Sequence, residues 1–375
     1  MVKSLAKDFR VIFLHTLNIK KVMWKDIVNS PKQRQGLLSF YKSVIRKQTI
    51  IFPEFITKHK YLPGDALTPF DEWFVFFQLR IAILVIGGIS VVYANTAFFS
   101  KTLKEILKGA WVYDFFDRNF DLTSSMSNSL IRENEKWLVE NSLVLIKSDY
   151  YLHTVMPSVS NKTNQRVVKT KIGYYAKPHL FVYPVLTTKK RKFTIGYAGG
   201  LSERLDYELI LSTVKINPEL NFIFVGKRYS YVADKNKTKY LDFQKLLSKY
   251  PNVTIMENIT NIKRQAEIIS SFNCGWIPYD LSLDFNKYCL PTKFIEYLAV
   301  GIPVISTHLP CLESYGEYVT FISKADDVIG AMTKVWSENS HMKIVERKQF
   351  ALSHSLGCRY SQVRDVVESL ASKQN

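Results

Sequence analysis

Lys293 and Glu296 are the residues in this chain whose types and spacing most directly suggest chemistry. They lie in the run Pro291-Thr292-Lys293-Phe294-Ile295-Glu296-Tyr297-Leu298-Ala299-Val300-Gly301-Ile302-Pro303-Val304-Ile305. Three residues apart, they share one face of a short helix, while Phe294, Ile295 and Leu298 are left to pack inward. Pro291 and Thr292 suit the helix entrance, Gly301 the left-handed residue just past its end, and Pro303-Val304-Ile305-Ser306 a buried parallel strand. A cation and a bidentate acceptor near the helix's positive end suit a nucleotide sugar, with the ammonium on a phosphate and the carboxylate on the vicinal ribose hydroxyls. The same spacing also describes a solvated surface pair worth about a few tenths of a kcal/mol.

A second candidate is Tyr197-Ala198-Gly199-Gly200-Leu201-Ser202-Glu203-Arg204-Leu205-Asp206, which follows a strand and opens a helix. Gly199 and Gly200 permit close backbone approach, Ser202 is placed to cap the helix, and free amides there attract phosphate. Arg204 adds a planar donor fork. Two adjacent glycines also make a plain turn. Lys227, with Arg228, follows Phe224-Val225-Gly226 at another strand end, within reach of a ligand or simply in a solvated basic turn.

Positioning these residues takes two α/β halves. In the first, Val11 to Leu14, Thr49 to Phe52, Ile89 to Tyr93, Trp111 to Phe115 and Leu143 to Lys147 read as short apolar strands separated by helix-length segments, as in a parallel sheet. The second half repeats the scheme with Phe193 to Tyr197, Asn221 to Val225, Val253 to Met256, Cys274 to Ile277, Pro303 to Ser306 and Val319 to Ile322. The polar, basic run Thr187-Thr188-Lys189-Lys190-Arg191-Lys192 reads as the hinge. The expected division is 1–187, 188–352 and a final helical segment, 353–375, with Val363, Val366, Val367 and Leu370 at helical spacing.

The pattern of Asn286, Pro291, Lys293, Glu296-Tyr297-Leu298-Ala299, Gly301, Pro303-Val304 and Thr307 resembles the nucleotide-binding segment of GT-B glycosyltransferases, especially bacterial enzymes similar to glycosyltransferase families 1 and 4. The Gly199 to Asp206 segment carries the matching G-x-L-S-x-R-x-D look. The resemblance is close over 190–335 and in outline elsewhere. It implies two Rossmann-like, doubly wound domains facing across a cleft, an acceptor-binding first domain, a nucleotide-sugar-binding second domain, and a last helix crossing back to the first. Donor contacts would come from Gly199, Gly200, Arg204, Lys227, Lys293, Glu296 and the loop at Ile259, which would meet the base largely through its backbone.

The resemblance also suggests catalytic candidates in the first half. Trp111-Val112-Tyr113-Asp114-Phe115-Phe116-Asp117-Arg118 is similar to a Y-D-x-x-D-D segment, with Arg118 in place of the last acid. For an inverting transfer, Asp117, and after it Asp114, would be the base on the acceptor hydroxyl. His15 follows the first strand and is the third candidate, although a lone histidine is more often structural. Ser148 matches a position where the last strand of the first domain meets the cleft. Many retaining relatives carry a second glutamate ahead of the one matched by Glu296, with seven residues between the two, and here Tyr288 stands there; Asp280, Asp284 and Asn286 lie close enough in sequence to compensate. No Asp-x-Asp metal motif is evident, so the diphosphate would be neutralised by Arg204, Lys293 and helix amides, with no cofactor and no obligatory metal.

At 375 residues, 47% hydrophobic and 22% charged, the chain has globular composition and room for two domains. Cys274, Cys289, Cys311 and Cys358 are widely spaced and form neither a disulfide framework nor a zinc motif, which fits a reducing cytoplasm. The first ten residues are charged and read as no signal peptide. The longest apolar stretch, Ile81 to Val92, is shorter than the roughly 20 residues a bilayer span requires, and Gly87-Gly88 divides it.

Net charge is +18, and residues 1–70 hold 13 Lys or Arg against 4 Asp or Glu, interleaved with Trp24, Phe40, Tyr41, Phe52 and Phe55. That mixture suits an anionic membrane surface or a lipid phosphate, and by charge alone also nucleic acid, for which no motif is present. The expected protein is therefore a metal-independent glycosyltransferase of hexosyl type. It would move a sugar from a nucleotide diphosphate donor, with a UDP-sugar first in line, to a glycan or lipid-linked acceptor in surface polysaccharide assembly. It would be peripheral at the inner face of the cell membrane. A nucleotide-sugar 2-epimerase of the same fold and a catalytically silent glycan- or lipid-binding partner are the alternatives.

Overall fold

In the computed structural model the described residues are 12–14, 50–52, 73, 76–77, 79–81, 83–84, 87–94, 101–115, 125–148, 166–170, 177–182, 192–226, 237–257, 259, 261–283, 286–287 and 290–372. They belong to two compact units, one of 1–171 with 360–375 and one of 172–359.

In the first unit, strands β1 (Ile12–Leu14) and β2 (Ile50–Phe52) pair in parallel. A separate parallel sheet runs in the order β3 (Val91–Ala94), β4 (Ala110–Phe115), β5 (Val144–Ser148), β6 (Arg166–Thr170). Helix α1 (Lys101–Ile106) connects β3 to β4, and α2 (Ser125–Asn141) connects β4 to β5. Sequence periodicity did not reveal β6. Its apolar centre is two residues flanked by Arg166, Lys169 and Thr170, a composition an edge strand tolerates but a hydrophobic run does not announce.

The second unit holds a six-stranded, all-parallel sheet. Its strands are β7 (Thr194–Ala198), β8 (Asn221–Val225), β9 (Val253–Met256), β10 (Cys274–Ile277), β11 (Val304–Thr307) and β12 (Val319–Ile322). Their spatial order is β12-β11-β10-β7-β8-β9. The chain therefore starts in the middle, builds to one edge, then returns to build the other. Its topological switch lies between β7 and β10, where ligands bind at strand carboxyl ends in doubly wound sheets. The helices are α3 (Tyr207–Ile216), α4 (Lys237–Leu247), α5 (Ile262–Ser270), α6 (Thr292–Val300), α7 (Asp327–Ser337) and α8 (His341–Ser353).

Helix α6 is buried on every side: each residue from Lys293 to Val300 is inside. Gly301 ends it at φ 97° and ψ 8°, and its amide bonds back to the Tyr297 and Leu298 carbonyls. From α8, the buried Arg347 donates from Nε to the Gly301 carbonyl at 2.8 Å, setting a cation on the helix's negative end. Burial lowers the Arg347 guanidinium to about 10, which leaves it charged at neutral pH.

At the other face of α6, Tyr297 reaches into the sheet. A Cβ on Gly275 would lie 2.3 Å from the Tyr297 ring, so a glycine in β10 is what lets the ring pass. The Tyr297 hydroxyl accepts the Ala198 amide at 2.8 Å, at the last residue of β7. Burial drives its pKa well above the ordinary tyrosine range, so it stays a neutral hydroxyl.

Helix α9 (Leu356–Ala371) passes from the second unit to the first. Its Val363 and Val366 are buried against Val112, Val144 and Ile146 of β4 and β5, with Val367 and Leu370 packed alongside. Residues 177–182 lie upstream of the basic run read as a hinge, yet belong to the second unit.

Candidate anion-binding site

The site is assembled from the loops that leave β7 and β10. The two loops are stitched together: the Asp206 amide bonds the Pro278 carbonyl, the Asp280 amide bonds the Arg204 carbonyl, each at 2.9 Å, and Leu205 bridges Tyr279 in antiparallel fashion. Asn286 is the central rivet. Fully buried, it accepts from Arg204 Nε at 2.8 Å and donates from Nδ2 to the Arg204 carbonyl at 2.9 Å and the Asp280 carbonyl at 2.8 Å. The guanidinium carbon of Arg204 lies 4.5 Å from the centre of the Tyr279 ring.

Lys293 approaches from the first turn of α6. Its ammonium donates to the Tyr279 hydroxyl and sits 4.7 Å from the Tyr279 ring centre and 5.0 Å from that of Tyr197. Gly199 provides the space, since a Cβ there would lie 2.8 Å from Lys293 Cε and 3.1 Å from Nζ. Tyr197 in turn donates to the Gly200 carbonyl at 2.9 Å, and Thr307 donates to the Tyr279 carbonyl at 2.9 Å. Tyr279 thus receives two cations on one ring, with its backbone held by β11.

Lys293 and Glu296 do not pair with each other, and neither is solvated: they are 8% and 7% exposed. Among the described residues no carboxylate pairs with Lys293. Glu296 Oε1 instead meets Lys177 Nζ at 2.9 Å, from the residue before the short 3-10 turn Pro178–Leu180. His179, in that turn, keeps its pKa below the ordinary histidine value, through burial first and the Lys177 charge second, with Glu296 pulling the other way. Its buried Nε2 finds no hydrogen-bond partner among the described residues.

A buried ammonium without a counter-ion is costly, because the interior solvates charge poorly. Aromatic faces recover part of that cost. A ligand phosphate would recover more. The arrangement can therefore hold an anion between Lys293 and Arg204 while Glu296 accepts hydrogen bonds from ligand hydroxyls.

One helix cap differs from expectation. Ser202 accepts from the Arg204 amide at 3.5 Å within the turn, and it is Asp206, extended at φ −76° and ψ 97°, that caps α3 by accepting the Leu209 amide at 2.9 Å. Asp206 lies immediately ahead of the helix, where a cap must be, whereas Ser202 precedes it by five residues. Burial raises the Asp206 pKa above the usual carboxylate range; the Leu209 amide works against this, while Asp280 and Glu208 add to the lift. A raised folded-state pKa favours folding in acid, and that contribution is lost as pH rises through the folded pKa. Asp206→Asn keeps a capping side chain without the charge. Relative to the parent, its melting temperature should rise as pH moves from about 4 to about 7; a flat difference in a pH series of melts would contradict this.

Among the other sequence candidates, Ile259 is half-buried in the loop between β9 and α5, two strands from β7 at the same end of the sheet. Asp114 is buried within the first unit and accepts from the Tyr93 hydroxyl. Ser148 ends β5. His15, Asp117, Lys227, Arg228, Asp284 and Tyr288 lie outside the described residues. The sequence reading missed Lys177 and His179, which no local pattern ties to Glu296, and the platform role of Tyr279. For Tyr279 a signal existed: it directly follows Ile277-Pro278 at a strand's carboxyl end.

No protein-family model matches the chain. Over 253 residues it is 28% identical to a protein of Bacillus subtilis strain 168 provisionally named the teichuronic acid biosynthesis glycosyltransferase TuaH. The match covers 65% of this chain and spans 61% of that relative's length. Among solved structures, sucrose-phosphate synthase from Thermosynechococcus elongatus superposes with a TM-score of 0.60 at 14% identity, covering 82% of this chain and 81% of that one. The Anabaena protein HepE, solved with UDP, gives 0.61 at 11% identity over 88% and 89%. A glycosyltransferase from Rickettsia africae ESF-5 gives 0.60 at 9% identity over 96% and 98%. With its doubly wound second sheet and its cation-lined switch point, the chain has the GT-B fold.

Proposed function

We propose that the chain is a glycosyltransferase that moves a sugar from a nucleotide diphosphate donor, a UDP-sugar, to a glycan or lipid-linked acceptor in cell-surface polysaccharide assembly. The observation that carries this reading is Lys293: a buried cation at a doubly wound sheet's switch point, with two tyrosine rings and a hydroxyl around it and no carboxylate paired with it among the described residues. Arg204 on the same Tyr279 ring supplies the second charge a diphosphate requires. Glu296, on the next turn of α6, suits the ribose hydroxyls.

In this mechanism donor binding places the diphosphate against Lys293, Arg204 and the turn at Gly199-Gly200, so that charge growing on the leaving group is met by fixed donors. No metal is required in that role, and chelator should leave the rate unchanged. For an inverting transfer, the acceptor base is assigned to Asp117 ahead of Asp114, whose buried carboxyl is already engaged by Tyr93, and ahead of His15. The polysaccharide setting draws on the relation to the Bacillus protein. The placement at the inner face of the membrane draws on the basic charge; no helix among the described residues is long and apolar enough to cross a membrane.

The test is a donor panel with mass detection of released nucleotide, alongside titration calorimetry with UDP. A UDP-sugar should bind and turn over. Glu296→Ala should weaken UDP binding by about tenfold or more through the lost ribose contacts. A purified chain that neither binds nor hydrolyses any nucleotide sugar in the panel would overturn the reading.

A further inference from the structure

Helical residues between 73 and 84 in the first unit present two unlike faces. Phe76 and Leu79 are buried, whereas Trp73, Phe77, Ile81 and Leu84 are 59%, 49%, 41% and 78% exposed. At about 100° per residue, positions 73, 77, 80, 81 and 84 fall within an arc of roughly 100°, with 76, 79 and 83 on the arc beside it. The exposed side is thus one continuous apolar stripe, with the exposed Arg80 on the same arc. Trp73 and Phe77 stack at 5.6 Å between ring centres with 14° between their planes, forming a flat aromatic plate at its start. Large apolar side chains grouped on one exposed face mark a contact surface more often than a scatter of single residues does.

We propose that this stripe docks the protein on an anionic lipid bilayer, with Trp73 and Phe77 at the headgroup level and Leu84 entering the acyl boundary. The inference gives a specific surface to the membrane-face setting proposed above, and its test does not depend on sugar transfer. Two observations select lipid as the occupant. Indole and phenyl rings beside an arginine are the side chains that settle at a membrane interface. The charge is also complementary: net +18 overall, with an excess of nine in the first seventy residues, is drawn to anionic lipid. The same charge opposes pairing of this face with a second copy of the chain.

The experiment is co-sedimentation of the full chain with vesicles of phosphatidylcholine containing phosphatidylglycerol, and with vesicles of phosphatidylcholine alone. Sedimentation velocity without lipid gives the oligomeric state. The comparison is with the variant Trp73→Ser, Phe77→Ser, Leu84→Ser. The parent should bind the anionic vesicles and be released by salt, while the variant's vesicle affinity should fall by about tenfold or more. Both proteins should keep the same thermal shift on adding UDP, which tests the nucleotide site separately and guards against misfolding. If the parent does not bind anionic vesicles, or the variant binds them as the parent does, the proposal is overturned. A parent that sediments as a dimer, reverting to monomer in the variant, overturns it in favour of self-association.

Discussion

Lys293→Met should cut kcat/KM for the nucleotide-sugar donor by about 10²–10³-fold and remove detectable UDP binding, while leaving the melting temperature unchanged or raised. The two halves of that expectation share one cause. In the folded protein the ammonium is buried, touches two tyrosine rings and the Tyr279 hydroxyl, and has no carboxylate paired with it among the described residues. Its desolvation is a burden on folding that a methionine of similar length does not carry. In the proposed complex the same desolvated charge would meet a donor phosphate in a low dielectric, where it is worth far more than in water. Donor kinetics and thermal melts on one preparation decide the matter. A variant that melts several degrees lower yet binds UDP like the parent would show that Lys293 serves the fold.

Gly226→Ala should do the opposite, damaging stability and site together, with a loss of about 2–4 kcal/mol in the unfolding free energy. Gly226 sits at φ 156°, and a Cβ there would lie 1.9 Å from the Gly199 carbonyl oxygen. The obstacle is backbone, so no rotamer relieves it. Gly199 would have to move away from the Val225 carbonyl, to which its amide is bonded at 2.8 Å, and with it would move the wall against which Lys293 rests. Even the molecules that remain folded should bind UDP at least about tenfold more weakly. Denaturant titration and calorimetry measure the two losses; parent-like values in both would mean that the turn yields more easily than its contacts imply.

Much of the second unit is legible in the chain because its strands are short, largely apolar runs, and the central ones, β7, β10 and β11, are buried throughout. Asn221–Val225, Val253–Met256, Cys274–Ile277 and Val319–Ile322 have the same ends in sequence and structure. Helix α6 was readable for a different reason, since Pro291 and Gly301 mark its two ends by backbone chemistry. The solvation of its polar residues was not readable. Three-residue spacing fixes a shared face, but it takes the packing of α5, α8 and the sheet to show that this face is inside. Lys177 is the sharper case. Its pairing with Glu296 depends on a segment far away in sequence folding back, and no periodicity encodes that. The capping of α3 was legible in principle, because Asp206 stands next to the helix, but the nearby serine was the more familiar signal.

Tyr297 gives the site a property that its contact distances do not express. With its ring threaded past Gly275 and its hydroxyl gripping Ala198, helix α6 cannot slide or tilt without tearing the central strands of its own sheet. The ordering of Lys293 and Glu296 is therefore settled when the chain folds, and an arriving ligand does not have to supply it. A site of that kind behaves as a template. Changes of ligand preference in such a protein would have to come from side chains exchanged on a fixed frame, and the frame itself would be slow to change.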